Sequence, residues 1–267
     1  MAHFIVVPQW QGSSSARAMQ LADGALAING DLPRAACTLI DVPTEAGEEQ
    51  GTGVRRYSTL ERVHDLVAQA VAENNQVVVV GGDSSVSLGA LESLADTETA
   101  VLWLGAHPAL HSPATSPTSA LHEMTLRCVL GEGAPGLAAT PPVITPDHVV
   151  IAGARDFDVA ELAVVRDLDI RILGVDELDK AASILRRSGA SRLYIHVDLD
   201  VLDSAAISGL SRPVPFGATP EDLVATIRAA RSELPLIGAS ITEFAPASRI
   251  AAEDDLSVIL RVIGALA

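Results

Sequence analysis

Two aspartates, Asp198 and Asp200, stand two residues apart at the end of the apolar run Leu193-Tyr-Ile-His-Val197. Alternate side chains of a strand point to one side, so both carboxylates can face one point at the strand's carboxyl end. Open α/β sheets place their ligands at that end. Two adjacent carboxylates repel unless a cation or a shared proton relieves them, and a divalent metal ion is the usual partner. The plain alternative is a strand running into a solvated acidic turn, and a motif this short is only a hypothesis.

Other turns after predicted strands carry polar residues suited to a site. Gly81-Gly-Asp-Ser-Ser85 has the look of a phosphate cradle but lacks a lysine and the spacing of either common glycine motif. A tight strand-to-helix turn capped by Asp83 and Ser84 explains it equally well. His107 and His111 share the next strand-end loop, His122 opens a predicted helix, and Glu243 follows the last strand. Histidine titrates near neutrality and serves as acid, base or ligand; a lone loop histidine more often only packs.

The elements that must position these residues alternate along the chain. Strands are predicted at His3–Val7, Thr38–Val42, Gln76–Val80, Ala100–Leu104, His148–Ala152, Ile170–Leu173, Leu193–Asp198 and Leu236–Thr242. Helices are predicted from Ser13–Ser15 to Ile28, Ser58 to Asn74, Val86 to Ala95, Ala120 to Leu130, Asp158 to Asp167, Asp176 to Ser188, from Thr219 onward, and Asp254 to Leu266. The β-branched run before Gly81 is typical of a strand buried on both faces. Alternation of this kind predicts a mainly parallel sheet with helices on both faces, in one domain over residues 1–267.

Composition narrows the function. A net charge of -16 argues against nucleic acid or anionic membrane as partners, since phosphate binding needs a basic surface. Cys37 and Cys128 are far apart and in no metal-like spacing. A reducing, cytoplasmic setting is therefore expected, and no apolar run reaches membrane-spanning length.

Taken together, the strand-end motifs resemble the ureohydrolase superfamily of arginases and agmatinases. Gly81-Gly-Asp-Ser-Ser85 resembles Gly-Gly-Asp-His-Ser, and Trp103-Leu-Gly-Ala-His-Pro-Ala109 resembles Trp-hydrophobic-Asp-Ala-His-x-Asp. Leu121-His-Glu-Met124 is similar to Leu-His-Gly-Met, and Ile151 to Asp158 to Ile-Gly-x-Arg-Asp-x-Asp. Asp198-Leu-Asp200 with Asp203 matches Asp-x-Asp-x-x-Asp, and Glu243-Phe-Ala-Pro246 resembles Glu-Val-Asn-Pro. The resemblance implies a three-layer α/β/α fold with a roughly eight-stranded sheet, and hydrolysis of a guanidinium by a hydroxide bridging two Mn²⁺ ions. It also implies a trimer or hexamer, Glu243 gripping the guanidinium, and His122 shuttling a proton. Asp158 would hold a substrate amino group, and His111 stands where the family often has a substrate-contacting asparagine.

The chain departs from this pattern in one place. Of six family metal ligands it keeps His107, Asp198 and Asp200, while Ser84, Gly105 and Ala109 replace the rest. The retained three serve one metal, so a single Mn²⁺ or Zn²⁺, with His111 as a candidate further imidazole, is the most the pattern implies, and ordinary binuclear activity is not expected. Two readings follow. One is a hydrolase of a guanidino or amidino small molecule with a reduced metal centre. The other is a non-catalytic protein of the same fold that binds a small cationic ligand or a partner subunit, with a purely structural paralogue as a weaker third.

Overall fold

The computed structural model describes residues 2–267. Eight strands form one sheet: β1 (His3–Val7), β2 (Cys37–Leu39), β3 (Val77–Gly81), β4 (Thr99–Leu104), β5 (Val149–Ala152), β6 (Arg171–Leu173), β7 (Arg192–Asp198) and β8 (Leu236–Thr242). Their order across the sheet is β2-β1-β3-β8-β7-β4-β5-β6, and every pairing is parallel. All carboxyl ends therefore share one edge. The chain leaves β3 for β4 across two positions that β8 and β7 later fill, so the late strands are inserted into the middle of that edge. A reversal of strand order opens a crevice there.

Eight α-helices cover the sheet: α1 (Met19–Asp31), α2 (Tyr57–Ala72), α3 (Ser87–Leu94), α4 (Thr125–Val129), α5 (Val159–Asp167), α6 (Ala181–Arg187), α7 (Pro220–Glu233) and α8 (Arg249–Leu266). Strand side chains alternate between the two layers. Phe4, Val6, Val78 and Val80 pack with residues of α1, α6, α7 and α8. Ile5, Val7, Val77 and Val79 pack with residues of α2, α3 and α4 on the other face. Burial on both faces explains why β3 reads as an unbroken valine run. This is the expected three-layer α/β/α architecture.

Several element boundaries differ from the sequence reading, each for a local reason. The serines at 13–15 do not cap α1; Ser13 and Ser15 close short turns on the backbone NH groups of Ser15 and Arg17, and the helix starts at Met19. The predicted helix from Ala120 divides into a 3-10 turn at Leu121–Glu123 and a short α4. The helix predicted from Asp176 likewise opens as a 3-10 turn, Val175–Lys180. Helix α8 begins five residues before the predicted Asp254, because Ser248 caps the NH of Ala251 at 3.1 Å. Arg249 and Ile250 in its first turn are exposed, and only Ala252 there reaches the core. Among the described residues, no helix is long and apolar enough to cross a membrane.

Candidate functional site

The carboxyl edge of the central strands gathers the chemistry. Cross-strand register sets the first layer: Trp103, His196 and Ser240 lie abreast on β4, β7 and β8, and Asp198 is paired with Thr242 one step further. Directly paired residues point to the same face. The Trp103 and His196 rings stack with centroids 3.6 Å apart. His196 Nδ1 lies 2.8 Å from both Ser87 Oγ and Ser240 Oγ, and its Nε2 lies 3.0 Å from Asp198 Oδ1. Thr242 Oγ1 donates to the same Asp198 oxygen. Burial pushes the Asp198 carboxyl up from the usual range, against the pull of His196.

Asp200 is held by the loop after β4. Its Oδ1 accepts the NH of Ala106 at 2.8 Å, and its Oδ2 lies 2.7 Å from His107 Nδ1. His107 Nε2 faces Asp156 at 3.4 Å. Burial alone would raise Asp200, but the His107 hydrogen bond and charge, with Arg212 and the Ala106 NH, hold it below the usual carboxylate range. Asp203, the last acid of the motif, accepts the NH groups of Ala205 and Gly217 at 2.9 Å each and pins the loop that follows. Arg155 fastens that loop further, donating to the carbonyls of Asp200, Val214 and Pro215.

Glu243 follows β8 with its backbone in the left-handed region, φ +70°. Its Oε1 accepts the NH of Ser84 at 3.2 Å and its Oε2 accepts Ser211 Oγ at 2.8 Å. His122 Nδ1 stands 3.6 Å away, beyond hydrogen-bond length, and this buried nitrogen has no other partner. The His122 Nε2 lies 3.0 Å from Ser14 Oγ. Burial would raise Glu243, yet His122, Arg212 and the Ser211 hydrogen bond overcome it and hold the carboxyl at about 2. Asp83 behaves in the opposite way: burial outweighs its bonds to Ser85 and Gln9 and raises it to about 6. Glu243, like Asp200, is thus an ionised acid of this edge.

A cavity of about 180 Å³ opens beside these groups, bordered by His107, His111, His122, Asp158, Glu161 and Arg212. Asp158 caps α5: its Oδ1 accepts the NH of Glu161 at 2.9 Å, and Glu161 Oε2 accepts the NH of Asp158 at 3.3 Å. His111 Nε2 lies 3.2 Å from Asp158 Oδ2 and 3.9 Å from Glu161 Oε1. Burial raises the Glu161 carboxyl, partly offset by His111.

The fold therefore brings all seven candidate residues to one edge, but in two groups. His107, Asp198 and Asp200 were expected to share an ion. Among the described residues, however, the sole group whose ligand atoms lie within 4.8 Å of one another is His111, Asp158 and Glu161. The manganese centre implied by the motifs fits poorly at β7. His107 and Asp200 are bonded to each other, Asp198 is turned to Thr242 and His196, and Gly105 offers no bridging carboxylate. Sequence reasoning missed Glu161, Ser14, Ser211 and Arg212. Only Glu161 carried a readable signal, the Asp-x-x-Glu spacing of a capping box.

Relatives match the chain in sequence and in fold. An arginase of Entamoeba histolytica is 29% identical over 189 residues, 64% of each chain, so the match spans just under two thirds of that relative's length. An N(omega)-hydroxy-L-arginine amidinohydrolase of Streptomyces lavendulae is 30% identical over 208 residues, covering 77% of this chain and 74% of that protein. The crystal structure of the Entamoeba histolytica arginase in complex with L-ornithine superposes with a TM-score of 0.86 at 23% identity, covering 99% of this chain and 97% of that one. The family model described as the arginase family matches residues 11–266. With that match spanning nearly every element of the sheet and its strand-end motifs, the chain belongs to the arginase family.

Proposed function

We propose that the protein is a hydrolase acting on a C–N bond of a small guanidino or amidino compound, bound against Glu243 and His122. The observation that carries this reading is the buried, ionised Glu243 carboxylate beside an imidazole nitrogen that has no hydrogen-bond partner. A guanidinium or amidinium is planar, cationic and offers paired NH donors, which suit a carboxylate. Hydrolysis adds water to the central carbon and breaks one C–N bond, and a proton must travel from the water to the departing nitrogen. His122 is placed to take and return that proton, with Ser14 steadying its far side. Asp158 and His111 border the same cavity and are assigned to the substrate's tail. No step runs through a metal at β7. A cytoplasmic setting and a homo-oligomer accompany this reading.

One observation favours a second reading, ligand binding without turnover. Both oxygens of Asp200 and one of Asp198 are tied to protein partners, and a guanidinium carbon is a poor electrophile for unactivated water. The test incubates the protein with arginine, agmatine and guanidinobutyrate and measures urea and ammonia. Turnover that falls about 100-fold or more in His122→Ala supports the hydrolase. Absence of turnover, with calorimetric binding lost in Glu243→Gln, supports the second reading. Absence of both overturns the two together.

A further inference from the structure

We propose that His111, Asp158 and Glu161 form a site for one divalent transition-metal ion of the zinc type, away from the strand-end acids, so that the substrate's tail meets the open position of that ion rather than Asp158 and His111 directly. The three ligand atoms come from the loop after β4 and the first turn of α5, and their contacts are 3.2 and 3.9 Å. A tetrahedral ion with bonds of about 2.0–2.1 Å sets its ligand atoms about 3.3–3.4 Å apart, and all three ligand atoms here lie within 4.8 Å of one another, so the acids must draw together to close on one.

The far atom of each side chain is already tied down. Asp158 uses Oδ1 on the Glu161 NH and Glu161 uses Oε2 on the Asp158 NH, which leaves Oδ2 and Oε1 facing His111. Glu161 Oε1 has one long contact, 3.3 Å from the NH of Leu110. His111 Nδ1 lies 3.2 Å from Thr115 Oγ1, which turns Nε2 to the acids. Outer partners that fix the ligand face in this way are the usual companions of a metal site.

Charge and access also suit an ion. His111 and Glu161 are buried, whereas the Asp158 side chain is 48% exposed and opens a path from solvent. The adjoining cavity leaves room for a water as fourth ligand. The positive end of α5 works against a cation, but it amounts to about half a charge against two carboxylates. A plain His111–Asp158 ion pair accounts for one of the two acids and leaves Glu161 buried with its carboxyl raised.

The test titrates the chelator-stripped full chain with Co²⁺, read by its visible ligand-field absorption, and then displaces Co²⁺ with Zn²⁺. One ion is expected per chain. Affinity should fall by about 100-fold or more in His111→Ala and Glu161→Gln, since loss of outer partners alone costs 10–100-fold. His107→Ala and Asp198→Asn should stay within about threefold of wild type. Circular dichroism in metal-free buffer identifies any variant that fails to fold, and Asp158→Asn serves as a further ligand variant. No absorption band, a band unchanged in every ligand variant, or loss confined to the His107 and Asp198 variants each overturns the site. Because the readout needs no turnover, its failure leaves the guanidino reading standing.

Discussion

The acids at the end of β7 and the acids at the start of α5 are chemically alike but differ in what holds them. At β7, Asp200 spends one oxygen on a backbone NH and the other on His107, while Asp198 takes Thr242 and His196 on Oδ1 alone. At α5, each carboxylate spends one oxygen on a helix cap; the other faces His111 directly at Asp158, and at Glu161 it also takes the NH of Leu110. Ligand type is thus necessary for cation binding but not sufficient. What matters is whether a lone pair is left over once the surrounding protein has been satisfied, because a buried polar atom finds a partner wherever it can.

The sharpest test of how an acid is held is to neutralise two glutamates, Glu243 after β8 and Glu161 at the start of α5. Glu243 is held at about 2, below its unfolded value, so its charge adds stability that is present above about pH 4.5 and lost as pH falls toward 2. Glu243→Gln should cost about 3 kcal/mol at pH 7, read by urea denaturation. Glu161 is raised by burial, so its charge opposes folding. Glu161→Gln should therefore stay within about 1 kcal/mol of wild type in metal-free buffer. Equal losses would remove the distinction.

A second effect concerns Asp83, raised to about 6. The folded state holds this proton more tightly than the unfolded chain, so stability falls as pH rises from about 4 through 6. The fall should reach up to about 3 kcal/mol. Asp83→Asn should flatten that part of the profile, and an unchanged profile would assign the proton elsewhere. The smallest effects come from the hydroxyl partners. Thr242→Val strips Asp198 of its buried donor and should cost about 2 kcal/mol. Thr115→Val, at the exposed partner of His111, should cost no more than about 0.5 kcal/mol. Thermal melts of the two variants side by side would show the difference.

Much of this arrangement was legible in the sequence because strands and helices carry period and punctuation. The valine run of β3, the Pro after Thr219 and the alternation of elements fixed the layers, and the motifs fell at strand ends. What the sequence hid was cross-strand register and loop path. His196 reads as one more residue of an apolar strand; its clamp on Asp198 depends on Ser87, Ser240 and Trp103 arriving from three other elements. Arg212 and Ser211 sit in a loop with no periodicity, and their effect on Glu243 follows from how Arg155 and Asp203 fold that loop back. Ser14 looked like a helix cap because a serine cluster before an apolar run usually is one. Ser84, Gly105 and Ala109 were visible as missing ligands, but not the rearrangement of the acids that remain.

The left-handed backbone of Glu243 has a bearing on descent. A non-glycine residue held there costs about 1–3 kcal/mol, and glycine would remove that cost at a single stroke. Drift toward glycine at position 243 is therefore downhill for the backbone and opposed only by what the carboxylate does. In descendants of this chain, the residue found there is a record of whether the work of the carboxylate, in stability and in ligand handling together, still outweighs the strain: glutamate where it does, glycine where it does not.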